Sequence, residues 1–148
     1  AVTKEELKIL LVEDNDDHAE LLLMELEDKL KDIELFRVSD GEEALDYLYR
    51  RGDKYSKLTN HFLPDLILLD LRLPKIDGIE VLSTIKNDKN LKKIPVVMLT
   101  SSDAENDIIE AYNNYANSYL VKPLNFDKFS KMLDSLAEYW IEWNRQPN

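Results

Sequence analysis

The sequence predicts a doubly wound α/β domain, in which five parallel strands are covered by helices on both faces. The run Leu66-Ile67-Leu68-Leu69 shows no alternation, which is typical of a strand buried on both faces. Its flanks favour a strand over a buried helix, because Pro64 can begin the run and Pro74 and Gly78 mark a loop after it. Four further strand-like runs alternate with helical patterns, so the βα unit repeats five times.

Composition limits the classes of protein to which this chain can belong. Its 148 residues make one ordinary domain over 1–148, and the net charge of −11 argues against direct binding of nucleic acid. There is no cysteine, no apolar stretch of membrane-spanning length and no signal peptide pattern at the start. We therefore expect a single cytoplasmic domain that is not bound to a membrane.

The first two strands are predicted over 7–12 and 33–38, the second of them nearer a sheet edge because its residues alternate more. Between them, the acids of residues 13–17 begin a helix. The apolar face expected for that helix consists of Leu21, Leu22, Met24, Leu26 and Leu30.

A capping box formed by Asp40 and Glu43 predicts a second helix that continues through Arg51. Residues 52–63 are polar and have no clear periodicity. Because this connection is longer than most, we interpret it as an inserted loop that is partly mobile or partly functional.

The second half of the chain continues the same alternation. We predict a helix over about 78–87, a strand over 95–100, a helix that ends near residue 115 and a strand over 118–121. Ser102 with Glu105 has the pattern of a second capping box. Asn125 can cap a last helix that continues at least to Trp143.

Side chains that can bind a metal or take part in catalysis follow four of the five predicted strands. Since the carboxyl ends of neighbouring parallel strands meet at one edge, a single crevice should hold all of these residues. They are Glu13 and Asp14, Asp70, Thr100, and Lys122. The three carboxylates repel one another unless a cation lies among them, and such oxygen ligands suit Mg²⁺. The lysine and threonine would hold a phosphoryl group, with Asp70 as its nucleophilic acceptor.

These positions resemble the receiver domain of two-component response regulators, over the whole chain. The resemblance implies a flavodoxin-like sheet with strand order 2-1-3-4-5. It implies that Asp70 accepts a phosphoryl group from a histidine kinase, and that Lys122 contacts this group. It further implies Mg²⁺ binding by Glu13, Asp14, Asp70 and the Arg72 main-chain carbonyl, and a switch pair formed by Thr100 and Tyr119.

Two further features resemble the stand-alone receivers that are paired with bacterial phytochromes. These are the insertion over 52–63 and the aromatic tail over 139–144. The last helix, expected over about 125–143, has an apolar stripe that ends in Trp140 and Trp143, and Met132, Tyr139 and Ile141 add apolar area off this stripe. Because aromatic residues are enriched at the centres of interfaces, we expect a symmetric homodimer through this helix. The alternative is that both tryptophans fold back onto their own domain.

The sequence favours a phosphoacceptor that signals through a changed protein-binding surface over three alternatives. A Mg²⁺-dependent phosphohydrolase of the haloacid-dehalogenase type would carry a second acid where Arg72 stands, so we expect no enzyme turning over free substrates. A receiver that works without phosphorylation would not need the full set of acids, threonine and lysine. Asp70 as an ordinary strand-end acid, like Asp65, is disfavoured for the same reason. His18 and His61 lack the partners of a metal site or triad, so we expect no catalytic role for them.

Overall fold

The computed structural model describes residues 7–30, 33–59, 61–140 and 144, and its centre is a five-stranded parallel sheet. The strands lie in the order β2-β1-β3-β4-β5, which confirms the predicted topology. Their bounds are β1 Leu7–Val12, β2 Ile33–Val38, β3 Leu66–Leu69, β4 Val96–Thr100 and β5 Ser118–Val121.

Six helices in the described part of the chain cover the two faces of this sheet. They are α1 Asp16–Lys29, α2 Gly41–Tyr49, α3 Gly52–Ser56, α4 Gly78–Asn87, α5 Glu105–Asn113 and α6 Phe126–Glu138. In β3, Ile67 and Leu69 pack toward α2, α4 and α5, whereas Leu66 and Leu68 pack toward α1 and α6. This two-sided burial is the physical reason for the unbroken aliphatic run. No described helix has both the length and the apolar character needed to cross a membrane.

The predicted helix starts were confirmed at two of three positions. The Asp40 side chain accepts from Glu43 N at 2.7 Å, and the Asn125 side chain accepts from Lys128 N at 3.1 Å. The predicted capping box of Ser102 is wrong, since α5 begins at Glu105 with Ala104 as its N-cap. The Ser102 hydroxyl instead donates to Asp107 at 2.5 Å.

The region read as a loop over 52–63 contains the short helix α3, which the sequence analysis missed. Tyr55 of this helix is buried and meets the Tyr47 ring edge-on, with ring centroids 5.4 Å apart. Tyr47 also stacks on Phe36 and donates its hydroxyl to the Phe62 carbonyl at 2.9 Å. The insertion is therefore fixed to the domain by aromatic packing that a polar sequence pattern does not reveal.

The structure differs from the prediction at one face of α1 and at the end of the last helix. Met24 was assigned to the apolar face of α1 but is 63% exposed. The last α-helix ends at Glu138, although the backbone is still helical at Tyr139. Trp140 packs against the core beneath α1 and α6, and Trp143 lies outside the described residues.

Candidate phosphoacceptor site

Backbone hydrogen bonds between neighbouring strands place the predicted site residues along one edge of the sheet. Glu13 N donates to Val38 O at 3.1 Å, so the ladder continues one residue beyond β1. In the same way, Asp70 N donates to Val12 O at 3.0 Å, and Lys122 N donates to Thr100 O at 2.7 Å. Strand pairing thus fixes the main chain of Glu13, Asp70 and Lys122 at the carboxyl edge of the sheet.

Three carboxylates meet at this edge, as the sequence predicted. One oxygen from each of Glu13, Asp14 and Asp70 lies within 4.8 Å of the others. Glu13 is buried, Asp70 is partly buried and Asp14 is exposed, so the cluster opens to solvent on one side. Hard oxygen ligands with an open side, where water can remain bound, fit a divalent cation such as Mg²⁺.

The Lys122 ammonium lies on the inner side of the acids. Its side chain is only 6% exposed, and Nζ donates to Glu13 Oε1 in a very short contact. The same Nζ lies 3.5 Å from Asp70 Oδ2, while Asp70 Oδ1 accepts from Leu71 N at 2.7 Å. One Asp70 oxygen is therefore held by the backbone, and the other faces a buried cation.

Burial dominates the electrostatics of Glu13. Loss of hydration raises the pKa of Glu13 to about 7, and the nearby Asp70 charge contributes to the rise. The hydrogen bond and charge of Lys122 lower this pKa, but burial outweighs them. A buried pair of this kind stabilises the fold weakly, because desolvation offsets most of the attraction.

We expect the free energy of unfolding of the metal-free protein to depend on pH through the ionisation of Glu13. The folded-state pKa of about 7 exceeds the ordinary value of 4.5, so between these pH values the native state binds more protons than the unfolded state. The free energy of unfolding should therefore fall as pH rises through this window, by about 3 kcal/mol from this group.

Urea denaturation of wild type and Glu13→Gln at pH 5 and pH 8, with EDTA present, measures this effect. The variant should be nearly as stable as wild type at pH 5 and more stable at pH 8. Equal changes with pH in the two proteins would show that the Glu13 carboxyl is not desolvated in solution.

Ser102 connects the two residues of the expected switch pair. Thr100 is buried, and its hydroxyl oxygen accepts from Ser102 N at 3.3 Å. The Tyr119 hydroxyl donates to Ser102 O at 2.9 Å, and its ring packs against the core beneath α4 and α5. Burial raises the pKa of Tyr119, so its hydroxyl stays protonated and acts as a donor.

Arg72 lies two residues after Asp70, and its side chain forms an ion pair outside the carboxylate cluster. Its guanidinium donates to Asp107 Oδ2 at 2.9 Å, on helix α5. Asp107 accepts the Ser102 hydroxyl as well, so one carboxylate binds both loops that border the site. Sequence reasoning used the main-chain carbonyl of Arg72 and the absence of an acid at its position, and did not identify this ion pair.

Two further residues at the site were not assigned to it from the sequence. Arg37, near the end of β2, donates to the Glu13 main-chain oxygen at 2.9 and 2.7 Å and to Asp16 at 2.9 Å. The available signal was a basic residue near the carboxyl end of a strand that leads to the site edge. His18 lies next to Lys122, with Nδ1 3.3 Å from Nζ, and no local pattern marks this contact.

Comparison with known proteins agrees with this geometry. The family model described as the response regulator receiver domain matches residues 9–134. The probable methanogenesis regulatory protein FilR2 of Methanothrix harundinacea is 45% identical over 139 residues, which cover 94% of this chain and 86% of that protein. The response regulator Rcp1 of Synechocystis sp. is 42% identical over 134 residues, covering 90% of this chain and 88% of Rcp1.

Solved structures show the same similarity in three dimensions. The Mn(2+)-bound form of Rcp1 matches with a TM-score of 0.87 and 41% identity, over 95% of this chain and 99% of that one. The phosphorylated cyanobacterial phytochrome response regulator RcpA matches with a TM-score of 0.89 and 40% identity, over 97% of this chain and 99% of that one.

Proposed function

We propose, from the premise that this chain belongs to the response regulator receiver family, that it signals in a two-component phosphorelay with Asp70 as the phosphoryl acceptor. The observation that carries this assignment is the setting of Asp70 at the end of β3. Its carboxylate lies within 4.8 Å of a Glu13 and an Asp14 oxygen and 3.5 Å from the Lys122 ammonium. Asp65, at the other end of the same strand, is outside this cluster.

The proposed reaction is an in-line transfer from a phosphohistidine. An Asp70 carboxylate oxygen forms a bond to phosphorus while the phosphorus–nitrogen bond breaks, and the electron pair remains on the imidazole nitrogen. Lys122 donates to the phosphoryl oxygens, whose negative charge its buried ammonium offsets. The Thr100 hydroxyl supplies a second donor once it leaves Ser102 N.

Glu13, Asp14, Asp70 and the Arg72 main-chain carbonyl are the proposed ligands of a divalent cation. The fit rests on three carboxylate oxygens within 4.8 Å that are open to solvent on one side. A bound cation offsets charge on the phosphoryl oxygens during transfer. We propose Mg²⁺ as the physiological ion, because an all-oxygen site that keeps water ligands suits it. The solved structure of Rcp1 is that of its Mn(2+)-bound form.

Metal-dependent labelling by a small phosphoryl donor tests the proposal. Phosphoramidate with Mg²⁺ should add one phosphoryl group to the wild-type chain, because the site itself supplies the groups that stabilise transfer. Intact-mass spectrometry reads the product, with EDTA as the matched condition. Equal labelling with and without EDTA would remove the metal site from the mechanism, and no labelling would overturn the assignment of the site.

Thr100 and Tyr119 are the proposed switch pair. Both bind Ser102, one through its N–H and the other through its carbonyl, so movement of the Thr100 hydroxyl toward a phosphoryl oxygen releases one side of the residue that also holds Tyr119. Phosphorylation would then shift a population of loop conformations around Ser102. The proposed output is a changed protein-binding surface around α5 and β5, without turnover of a free substrate.

The proposed partner is a sensor histidine kinase, and a phytochrome-type kinase is the narrower proposal. Support for it comes from RcpA and from the bacteriophytochrome response regulator AtBRR, which is 42% identical over 97% of this chain with a TM-score of 0.73. Phosphotransfer from a phytochrome kinase with a labelled histidine would test it directly. The absence of cysteine is compatible with the reducing cytoplasm, where we propose that this exchange occurs.

We also propose a homodimer through the α6 surface. Trp140 packs onto its own domain, so the exposed apolar residues near α6 carry the proposal. Tyr139 is 51% exposed, Phe126 54% and Leu124 fully exposed. Exposed aromatic side chains such as Phe126 and Tyr139, at the two ends of α6, belong to a residue class that is enriched in protein contacts.

Light scattering over a dilution series tests the homodimer. The wild type should be dimeric at high concentration, and Tyr139→Asp should be monomeric, because a buried unpaired charge opposes association. Tyr115→Asp is the matched control, since this tyrosine is 74% exposed and follows α5. A wild type that is monomeric at high concentration would refute the dimer.

A further inference from the structure

His18 lies in the first turn of α1 and is a direct partner of Lys122. Its Nδ1 is 3.3 Å from Lys122 Nζ, although the two residues are 104 positions apart in the chain. An ammonium group can only donate hydrogen bonds, so Nδ1 must be the acceptor and Nε2 must carry the hydrogen. The His18 ring therefore presents its Nδ1 lone pair to the buried ammonium.

A closed ring of hydrogen bonds fixes this geometry. Glu13 Oε2 accepts from Asn15 N at 3.1 Å, and the Asn15 side chain accepts from His18 N at 3.0 Å, which caps α1. The Lys122 ammonium donates to His18 Nδ1 and also to Glu13 Oε1, and this second bond closes the ring. The start of α1 and the lysine that follows β5 are thus connected through two independent paths.

The three partners of Lys122 differ in one decisive respect. Glu13 and Asp70 are both proposed cation ligands, so their negative charge is shared when a cation is bound. Among the described residues that contact the ammonium, His18 is the acceptor outside that set. His18 can hold Lys122 in the same place before and after the carboxylates bind a cation.

We propose that His18 is a positioning residue for Lys122, which it holds beside Asp70 during phosphoryl transfer. This inference rests on the proposed phosphoacceptor function. It extends that function to a residue that contacts neither the acceptor nor the proposed cation ligands through its side chain. Without His18, the ammonium would lose one of its fixed acceptors and would spend less time in the orientation that transfer requires.

The test compares phosphorylation rates of two substitutions at this position. His18→Leu should slow labelling by phosphoramidate about three- to tenfold in saturating Mg²⁺, the effect of one hydrogen bond. His18→Asn should restore the rate to within about twofold, because its Oδ1 stands the same number of bonds from the main chain as Nδ1 and is also an acceptor. The change should appear in the maximal rate and leave the donor concentration for half-saturation unaffected.

Glu20→Leu is the matched control, since it places the same leucine on the exposed side of the same helix. It should label at the wild-type rate, and thermal melts should show that all variants are folded. If His18→Leu labels as fast as wild type, or if His18→Asn is as slow as His18→Leu, the positioning role is wrong. A wild type that is not labelled at all would instead overturn the phosphoacceptor function itself.

Discussion

Replacing Asp70 with asparagine is expected to abolish metal-dependent phosphoryl labelling. The amide has no anionic oxygen to attack phosphorus, while its size and its ability to accept from Leu71 N are retained. The fold should survive the change, because one member of a cluster of like charges becomes neutral. Intact-mass spectrometry after incubation with phosphoramidate and Mg²⁺ measures the outcome.

Asp65→Asn is the control for that experiment, because it makes the same chemical change at the opposite end of the same strand. The Asp65 carboxylate accepts from Lys8 N at 3.0 Å, a bond that asparagine can also accept. This variant should be labelled as fast as wild type. Labelling of Asp70→Asn at the wild-type rate would place the acceptor elsewhere, and loss of labelling in both variants would indicate an indirect effect on the sheet.

The elements that the sequence predicted well are those whose burial is determined by the sheet. The unbroken aliphatic runs of β3 and β4 can be buried only between two layers of helices. The sequence pattern therefore predicts that these segments are strands and that they lie inside the sheet. The convergence of Glu13, Asp14, Asp70 and Lys122 follows equally, because parallel strands end at the same edge.

The errors occurred where a local pattern competes with contacts from distant residues. Ser102 and Glu105 have the spacing of a capping box, yet Asp107 takes the Ser102 hydroxyl and is held in turn by Arg72. Helix α3 has only five residues and depends on rings from other elements, such as that of Tyr47. Its stability comes from tertiary packing, which periodicity does not report.

The contact between His18 and Lys122 shows the same limit inside the site. Strand topology brings the start of α1 near the end of β5, but the choice of rotamer that brings Nδ1 to Nζ depends on Glu13 and Asn15 together. A histidine without nearby ligands in sequence was therefore assigned no catalytic role. The structure adds a hydrogen bond between this histidine and the lysine that would act.

Lys122→Met is expected to impair the protein in two separate ways. In the metal-free state at pH 8, removal of the ammonium leaves the buried Glu13 carboxyl without its cation, so that the group takes up a proton at a cost of about 1 kcal/mol of stability. The loss should be smaller at pH 5, because Glu13 is then protonated and needs no cation. Labelling by phosphoramidate in saturating Mg²⁺ should fall roughly 10²-fold, since a donor to the phosphoryl oxygens is lost.

The double variant Glu13→Gln with Lys122→Met separates these two effects. Its buried pair is neutral, so urea denaturation at pH 8 should show most of the lost stability restored. Its labelling should nevertheless stay far below that of Glu13→Gln alone, because no neutral neighbour can replace an ammonium that offsets charge on the phosphoryl group. If the double variant labels as fast as Glu13→Gln, then Lys122 serves only to neutralise Glu13, and the phosphoryl oxygens must be stabilised by other groups.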